Sequence, residues 1–373
     1  MSKTARQWLD AIRSLPLERN VRIMNVCGGH ERTISMAGLR KALPGNIELI
    51  PGPGCPVCIC PEEDLFEAIQ LARNEDIILV AFGDMLRVPV NVRKCEARTL
   101  EEAKAQGADI RPLASPTEAV EIARENPEKP VVFFAAGFET TTAPVAAMLV
   151  EGVPDNLFVL LSGRLTWPAV AMLLDSGEAG FDALVAPGHV ATVMGPEEWQ
   201  FVVDDHNMPA AIAGFTAESL LAAMYSVLRQ LSDKRYFLDN CYPQLVREGG
   251  NPSARAQLRE AFDIQDANWR GIGVIPGSGY TVRTGYGQHD ARLHFPSYAE
   301  DARKRAGEMP PGCDCARVVL GRIYPNQCRL YGRACVPRNP VGPCMVSDEG
   351  ACRIWWANGI REPAPAAGEP ADG

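Results

Sequence analysis

The chain has 373 residues, a formal net charge of −9 and 46% hydrophobic residues, a composition typical of a globular protein with two or three domains. The acidic balance, with no Lys/Arg-rich block in the sequence, argues against a surface for nucleic acid or for an anionic membrane. Residues 1–20 lack the apolar core of a signal peptide, and the sequence contains no run of about 18 apolar residues that could span a bilayer. We therefore expect a cytoplasmic protein.

Twelve cysteines are a high number for a chain expected in the cytoplasm. Disulfides are rare in that compartment, which makes metal binding and redox chemistry the leading explanations. Free cysteines also pack as small hydrophobic residues. We assign this plain role to Cys95 and Cys241, which stand alone in the sequence.

Over the first 240 residues, short apolar segments with strand character alternate with helical patterns. The predicted strands cover residues 21–26, 47–51, 76–82, 108–113, 130–137, 156–162, 182–187 and 209–215. Nearly continuous apolar strands between helices, such as those over 61–74 and 218–231, predict parallel sheets covered on both faces. Two consecutive sets of four strands predict two similar α/β domains, residues 1–125 and 126–240.

The character of the sequence changes after residue 240. Residues 271–287 are Gly-rich and predict a hairpin or a loop, but not a phosphate-binding loop, because no Gly-Lys-Ser/Thr follows. Six cysteines fall within residues 310–356, and we take 241–356 as a third domain. The final segment, 357–373, is rich in Pro, Ala and Gly and is predicted to be disordered.

The predicted strands end in loops that carry the unusual side chains. In parallel α/β sheets, ligands bind beyond the carboxyl ends of the strands, where these loops lie. Strand-to-helix turns need Gly, Pro and capping residues in any case, which is the alternative for each loop taken alone. We predict that the loops share one crevice. Its candidate residues are Cys27 and His30 from CGGHE, Cys55 and Cys58 from GPGCPVC, Asp84 from FGDMLRVP, Glu139 from GFETTTAP and His189 from PGHV.

Cys27 and His30 belong to the first of these loops. Cys27 precedes a predicted helix, whose dipole lowers the pKa of a thiol and favours the metal-binding thiolate. His30 follows a Gly-Gly turn that lets the backbone approach closely, which favours a role in the site. The alternative for His30 is a core histidine satisfied by a backbone carbonyl.

Cys55 and Cys58 form a Cys-Pro-Val-Cys pair ahead of the helix predicted from Pro61. This is the spacing of thiol–disulfide exchange motifs, and the N-terminus of a helix stabilises one thiolate of such a pair. The alternatives are plain burial and half of a zinc site, which Cys27 and His30 could complete in space.

The C-terminal cysteines include a set spaced C-x14-C-x6-C-x16-C, formed by Cys313, Cys328, Cys335 and Cys352. Structural zinc sites usually contain two short C-x2–4-C pairs, and this block has none. Four separated thiolates on Pro/Gly-rich loops favour an iron–sulfur cluster, with zinc and disulfides as alternatives. Cys315 and Cys344 are left over.

Together these segments resemble the HypD family of hydrogenase maturation proteins. The likeness runs from about residue 20 to 356, through the five loops and the C-terminal spacing that ends in PVGPCMVSDEGAC (340–352). It implies a scaffold for assembling the Fe(CN)2CO group of nickel–iron hydrogenases, built from two Rossmann-like domains and a C-terminal domain with a 4Fe-4S cluster. The implied partners are the small chaperone HypC, the cyanide donor HypE and, indirectly, the hydrogenase large subunit.

The resemblance also implies roles for the residues around the iron. Cys27 would hold the iron that carries cyanide and carbon monoxide, together with a thiolate from HypC. His30 would donate a hydrogen bond or relay a proton beside it, with Asp84 and Glu139 as further candidates.

A redox step follows from the same resemblance, because the family is similar to ferredoxin:thioredoxin reductase in placing a cluster near exchangeable thiols. The implied relay runs from the cluster through Cys315 and Cys344 to Cys55 and Cys58. The alternative functions are an iron–sulfur thiol–disulfide oxidoreductase acting on a protein substrate and a zinc-stabilised binding module.

Two positions depart from the family pattern. Arg32 stands where members often have a second histidine, and Cys60 stands where a residue without a thiol is usual. We therefore give neither residue a role.

Overall fold

The computed structural model of the protein describes residues 3–93, 95–177, 179–305, 307 and 309–362. Of the segment predicted to be disordered, residues 363–373 lie outside the described residues, whereas Ala357 still belongs to a helix. Within the described part of the chain, no helix combines the length and the apolar character needed to cross a membrane.

The structure confirms the eight strands predicted over the first 240 residues and adds β9, β10 and β11. The strands are β1 (Val21–Asn25), β2 (Ile47–Pro51), β3 (Ile78–Phe82), β4 (Ile110–Leu113), β5 (Val131–Gly137), β6 (Leu157–Gly163), β7 (Ala183–Pro187), β8 (Ala210–Ala213), β9 (Leu238–Asn240), β10 (Phe262–Trp269) and β11 (Gly273–Val282). Strand β9 has only three residues, all of them partly exposed, so it leaves no apolar signal in the sequence. Strands β10 and β11 form an antiparallel hairpin, as the Gly-rich segment predicted, although it starts earlier, at Phe262.

Strands β1 to β9 form two parallel sheets. The five-stranded sheet has the order β2-β1-β7-β8-β9, and the four-stranded sheet has the order β4-β3-β5-β6. Each neighbouring pair in these two sheets is parallel. This confirms the predicted α/β class with two parallel sheets.

The grouping of the strands differs from the predicted two consecutive sets of four. The chain starts the five-stranded sheet with β1 and β2, builds the whole four-stranded sheet with β3 to β6, and then returns with β7. Ile23 lies beside Leu49 on one side and beside Ala183 on the other. The ranges 1–125 and 126–240 therefore each contribute strands to both sheets. Consecutive elements are usually neighbours in space, and that expectation fails at these two crossings between the sheets.

Helices connect the strands and cover the sheets. They are α1 (Ala5–Arg13), α2 (Gly28–Met36), α3 (Leu39–Ala42), α4 (Pro56–Ile59), α5 (Glu62–Asn74), α6 (Leu100–Ala105), α7 (Pro116–Glu125), α8 (Glu139–Glu151), α9 (Trp167–Asp175), α10 (Gly188–Met194), α11 (Phe201–Asp204), α12 (Ala217–Asp233), α13 (Pro252–Ala261), α14 (Ala291–His294), α15 (Pro296–Arg303), α16 (Cys315–Val319) and α17 (Ala351–Ala357). The helices predicted over 61–74 and 218–231 are confirmed as α5 and α12.

The packing of these elements positions the site. Strands β5 and β6 are buried along their whole length, as expected for a parallel sheet covered on both faces. Helices α17 and α16 of the thiol-rich C-terminal segment pack on α2 and α4, which follow β1 and β2. The C-terminal thiols are thereby brought to the carboxyl ends of β1 and β2.

Candidate functional site

The loops after β1 and β2 lie side by side because the two strands pair in parallel. The amide of Gly28 donates a 3.0 Å hydrogen bond to the carbonyl oxygen of Gly54. A Cβ atom at Gly54 would lie 2.4 Å from the backbone nitrogen of Cys27, so this close approach requires glycine. The CGGHE and GPGCPVC loops therefore meet, as the sequence predicted.

The C-terminal segment closes the site from a third side. A Cβ atom at Gly28 would lie 2.4 Å from the Cβ atom of Glu349, so this segment sits directly on the turn after β1. A narrow cavity, here called the thiol cavity, remains between the three segments. The side chains around it include Cys27, Cys55, Cys58, Cys344 and Glu349.

Cys27 is a free thiol immediately before α2. Its pKa is raised to about 12, because protein atoms surround the sulfur and the carboxylate of Glu349 lies nearby. The backbone amides of His30 and Gly29 donate to the sulfur and offset this only in part. The expectation that the helix dipole yields a resting thiolate is therefore wrong. Burial outweighs the dipole, and metal binding has to displace the thiol proton.

His30 is fully buried, and its Nε2 atom lies 3.1 Å from the carbonyl oxygen of Ala213. Burial lowers its pKa to about 4, so the ring is neutral at physiological pH. A neutral ring that donates from Nε2 carries a lone pair on Nδ1, which has no hydrogen-bond partner among the described residues. His30 is thus satisfied by a backbone carbonyl and still retains one free acceptor.

Phe215 joins the CGGHE and PGHV loops. The His189 ring stacks on it with centroids 3.7 Å apart, and the His30 ring lies 5.0 Å from it. A Cβ atom at Gly29 would lie 2.8 Å from the Phe215 ring, which explains the second glycine of the turn. The sequence analysis did not assign this residue, although it is the last letter of the strand predicted over 209–215.

Cys55 and Cys58 are joined by a disulfide in the structure. Cys55 precedes the one-turn helix α4, and the amide of Cys58 donates a 3.2 Å hydrogen bond to its sulfur. A disulfide leaves no thiolate for zinc, so the zinc alternative does not describe this form of the pair. The disulfide faces the same cavity as Cys27.

The six C-terminal cysteines lie close to one another. A Cβ atom at Gly342 would lie 2.4 Å from the sulfur of Cys313 and 2.5 Å from that of Cys315. Cys344 shares thiol hydrogen bonds with Cys315 and Cys352. Cys344 also lines the thiol cavity, so it connects the C-terminal thiols with the Cys55–Cys58 pair.

The surroundings of these thiols fit a 4Fe-4S cluster, whose cysteines each bind a different iron. The amide of Val341 donates to the sulfur of Cys335 at 3.4 Å, and the amides of Leu330 and Asp314 donate to Cys328. Backbone donors to sulfur are a usual feature of iron–sulfur sites. Among the described residues, no three His, Cys, Asp or Glu side chains are arranged to hold a single metal ion.

Asp84 lies next to the C-terminal segment rather than against Cys27. Its Oδ2 atom accepts a 3.2 Å hydrogen bond from the Ser347 hydroxyl, and the same hydroxyl accepts from the amide of Glu349. Burial raises the pKa of Asp84. Asp84 thus supports the segment that carries Glu349 to the cavity.

Glu139 is not among the residues that line the thiol cavity. It is fully buried, and its two carboxylate oxygens accept from the amide and the hydroxyl of Thr166 at 2.6 and 2.7 Å. Thr166 immediately precedes α9. Glu139, the first residue of α8, therefore contacts the start of α9, away from the thiol cavity.

Glu349 is the clearest residue that the sequence analysis missed. It lies within the quoted segment PVGPCMVSDEGAC, but nothing in the sequence indicates that this segment folds back onto Gly28. The surrounding protein and the charge of Asp84 raise the pKa of Glu349 to about 7. The CGGHE and GPGCPVC loops bring one free thiol to the cavity, that of Cys27, and the carboxyl group of Glu349 lines the same cavity.

The chain is an α/β protein in which a free thiol, a disulfide and a thiol-rich segment meet beyond the carboxyl ends of β1 and β2, an arrangement typical of proteins that use cysteine thiols in their chemistry. Comparison with known proteins makes this class specific. Residues 3–359 match the HypD family model, described as "Hydrogenase formation hypA family". The chain belongs to the HypD family.

Several curated relatives match over most of their length. The chain is 38% identical to "Hydrogenase maturation factor HypD2" of Bradyrhizobium diazoefficiens, over 91% of this chain and 89% of the relative. It is 38% identical to "Hydrogenase maturation factor HypD" of Azotobacter vinelandii, over 94% and 92%. It is 36% identical to the protein of the same name in Escherichia coli, over 92% and 90%.

Proposed function

We propose that this chain is a cytoplasmic hydrogenase maturation factor, the scaffold on which the Fe(CN)2CO group of nickel–iron hydrogenases is assembled. The observation that carries the proposal is the single cavity lined by Cys27, the Cys55–Cys58 disulfide and Cys344. It brings a free thiol for iron and a disulfide that could accept electrons to one narrow space. The names of the relatives point to the same process.

The iron is cargo, and Cys27 is its ligand on this chain. Soft thiolate ligands suit low-spin iron that carries cyanide and carbon monoxide. Binding displaces the thiol proton of Cys27, and the carboxylate of Glu349 lines the same cavity and is placed to accept it. A thiolate from HypC would be the second protein ligand of the iron, and HypE would supply the cyanide. The finished group would pass to the hydrogenase large subunit.

The Cys55–Cys58 pair is the redox element of the proposal. Opening the disulfide takes up two electrons and two protons and yields two thiols. A 4Fe-4S cluster held by Cys313, Cys328, Cys335 and Cys352 would supply single electrons to neighbouring thiols. Cys344 contacts Cys315 and lines the cavity, so these two thiols occupy the intermediate position of the proposed relay.

Infrared spectroscopy of the anaerobically purified complex with HypC tests the proposal. We expect cyanide and carbon monoxide stretches in the native complex and none in Cys27→Ala, with the cluster absorption unchanged in that variant. Cys241→Ser, which alters a thiol packed against the five-stranded sheet, is the matched control and should keep the stretches. Stretches that persist in Cys27→Ala would overturn the assignment of the iron ligand.

The disulfide itself favours a second candidate, an iron–sulfur thiol–disulfide oxidoreductase acting on a protein substrate. Cys344 stands on the same cavity as the Cys55–Cys58 pair, which is an arrangement suited to disulfide exchange. The oxidoreductase function predicts dithiol exchange with a protein substrate, and it predicts no cyanide or carbon monoxide bands in the infrared spectrum of the complex with HypC. The same spectrum therefore separates the two functions.

A further inference from the structure

A second cavity, which shares no lining residue with the thiol cavity, has a volume of about 450 Å³. It lies between α5, the β10–β11 hairpin and the segment from α14 to α15. Five carboxyl-bearing and three guanidinium-bearing side chains line it. None of them belongs to the loops around Cys27, and we call this space the acidic cavity.

The guanidinium groups of the inner wall are already occupied. Arg292 donates to Asp64 at 2.7 Å and to Glu67 Oε2 at 3.0 Å, and it also bonds the carbonyl oxygen of Leu161. Arg164 donates to the other oxygen of Asp64 at 3.2 Å. The positive charges of Arg164 and Arg292 are therefore engaged within the protein. Arg303, the third guanidinium group of the lining, is exposed, and the five carboxyl groups outnumber the three guanidinium groups.

Two carboxylate oxygens of the same wall lack a donor. Glu63 and Glu67 lie one turn apart on α5, on the same face of the helix. Asn268 donates to Glu63 Oε1, but Glu63 Oε2 and Glu67 Oε1 are buried and have no hydrogen-bond partner among the described residues. Glu67 is only 2% exposed. A buried carboxylate oxygen without a donor is destabilising, so this pair of acceptors matches a ligand that brings two donors.

We propose that the acidic cavity binds a cationic nitrogen group, a guanidinium or a primary ammonium, through Glu63 Oε2 and Glu67 Oε1. Such a group brings several N–H donors and a positive charge, whereas the carboxylates repel an anion. A volume of about 450 Å³ accommodates a small free amine or one long basic side chain of a partner protein. These two sources share the chemistry, and the experiment distinguishes them.

The protonation of Glu67 gives a second signature of this site. Burial raises the pKa of Glu67 to about 7, and the neighbouring Arg292 opposes the shift while Asp64 and Asp290 add to it. Glu63, on the same wall, also has a raised pKa, chiefly through burial. A cation binds the ionised carboxylates, so its affinity should increase from pH 6 to pH 8.

Isothermal titration calorimetry of the full chain with agmatine tests the proposal, and neutral butylurea serves as the matched probe. We expect binding of agmatine at pH 8 that is at least tenfold tighter than binding of butylurea and is weaker at pH 6. Glu67→Gln can keep an oxygen toward Arg292 while turning an N–H toward the cavity, so it should weaken agmatine binding at least tenfold. Glu121→Gln, an exposed glutamate on α7, should leave it unchanged.

Glu63→Gln is the second variant and should also weaken agmatine binding. Arg292 does not contact Glu63, so this variant keeps the ion pairs of Arg292 and remains informative if Glu67→Gln does not fold. A Gly-Arg-Gly peptide that binds more tightly than agmatine identifies a protein side chain as the ligand, and the reverse order identifies a free amine. Equal binding of agmatine and butylurea, unchanged affinity in both variants, or binding of neither agmatine nor peptide would overturn the proposal.

Discussion

The indole nitrogen of Trp355 donates a 2.7 Å hydrogen bond to Oε1 of Glu31, one turn into the helix that begins just after Cys27. Glu31 is 2% exposed, and its other oxygen accepts from Arg40 at 2.7 Å. This contact joins segments that are far apart in sequence and holds the C-terminal segment over the thiol cavity. Glu31 is the last residue of the CGGHE motif, so this hydrogen bond ties that motif to a C-terminal residue that no loop motif contains.

Trp355→Phe should loosen this closure. The phenylalanine ring can still stack on Tyr324, but the buried carboxylate of Glu31 loses one of its hydrogen-bond donors. This loss should lower the unfolding free energy by about 1–3 kcal/mol. We expect a lower urea midpoint and faster alkylation of Cys27. Trp356→Phe is the matched control, because that partly exposed ring packs against Tyr331. Equal alkylation rates in both variants would contradict the role of the hydrogen bond.

Gly54→Ala should disturb the thiol cavity directly. The new Cβ atom would lie 2.4 Å from the backbone of Cys27, and backbone cannot rotate away as a side chain does. We expect a loss of about 1–3 kcal/mol in unfolding free energy, together with loss of iron-centre assembly. Gly45→Ala, where nothing lies within 4 Å of the added atom, is the control and should behave as the native chain. A stable, fully active Gly54→Ala protein would show that the two loops need not touch.

The strands were predictable because their apolar runs reflect burial on both faces of a parallel sheet, as in β5 and β6. Their assignment to sheets was not predictable, since β1 pairs with β7, which follows it after more than 150 residues. No local pattern records such a pairing. The apolar signal indicates that a segment is buried, but it does not indicate which strand lies beside it.

The site was predictable in part for a similar reason. Cys27, Cys55 and Cys58 follow adjacent parallel strands, so the strand-end rule brings them together. Glu349 reaches the cavity only through the packing of the C-terminal segment on Gly28, which no spacing encodes. The pKa of Cys27 was misjudged because the helix dipole is visible in the sequence, whereas the burial that outweighs it is not.

The C-terminal cysteines offer a direct test of ligand identity. Alanine at Cys313, Cys328, Cys335 or Cys352 should bleach the visible absorption of the anaerobic protein and lower its iron content. It should also destabilise the C-terminal segment, because cluster binding contributes to folding. Cys315→Ala and Cys344→Ala should keep the colour. Because Cys313 and Cys315 both lie close to Gly342, bleaching in Cys315→Ala would assign the ligand to Cys315 instead.

The Cys55–Cys58 pair should switch between disulfide and dithiol. Thiol-alkylating mass tags should show the pair closed under mild oxidation and open after reduction, and Cys55→Ser or Cys58→Ser should each stop iron-centre assembly while cluster colour is kept. Cys60→Ser is the control from the same loop. Burial and the charge of Asp64 raise the pKa of Cys60 to about 12, so it is a protonated thiol that should not exchange. Normal hydrogenase maturation with either the Cys55→Ser or the Cys58→Ser variant would show that the disulfide has only a structural role.

Glu139→Gln distinguishes a structural carboxyl group from one that relays protons. Burial raises the pKa of Glu139, against the opposing hydrogen bonds from Thr166. Glutamine can accept from the Thr166 amide and donate to its hydroxyl, so the start of α9 should be preserved. Hydrogenase maturation should therefore stay within about twofold of the native level, and a loss of tenfold or more would restore Glu139 as a proton relay.

The same substitution has a signature in the pH dependence of stability. Between the ordinary glutamate pKa and the raised one, the folded native chain holds a proton that the unfolded chain has lost, so native stability falls as the pH rises through this window. Glu139→Gln removes this dependence and should gain stability relative to the native chain as the pH increases, with the full difference reached above the folded pKa. The nearby Glu198, whose pKa burial and the Glu139 charge both raise, should then titrate closer to its ordinary value. Urea titrations at pH 5, 6, 7 and 8 measure the slope, with the exposed Glu121→Gln as control. A parallel pH dependence in Glu139→Gln and the native chain would show that Glu139 is already ionised when folded.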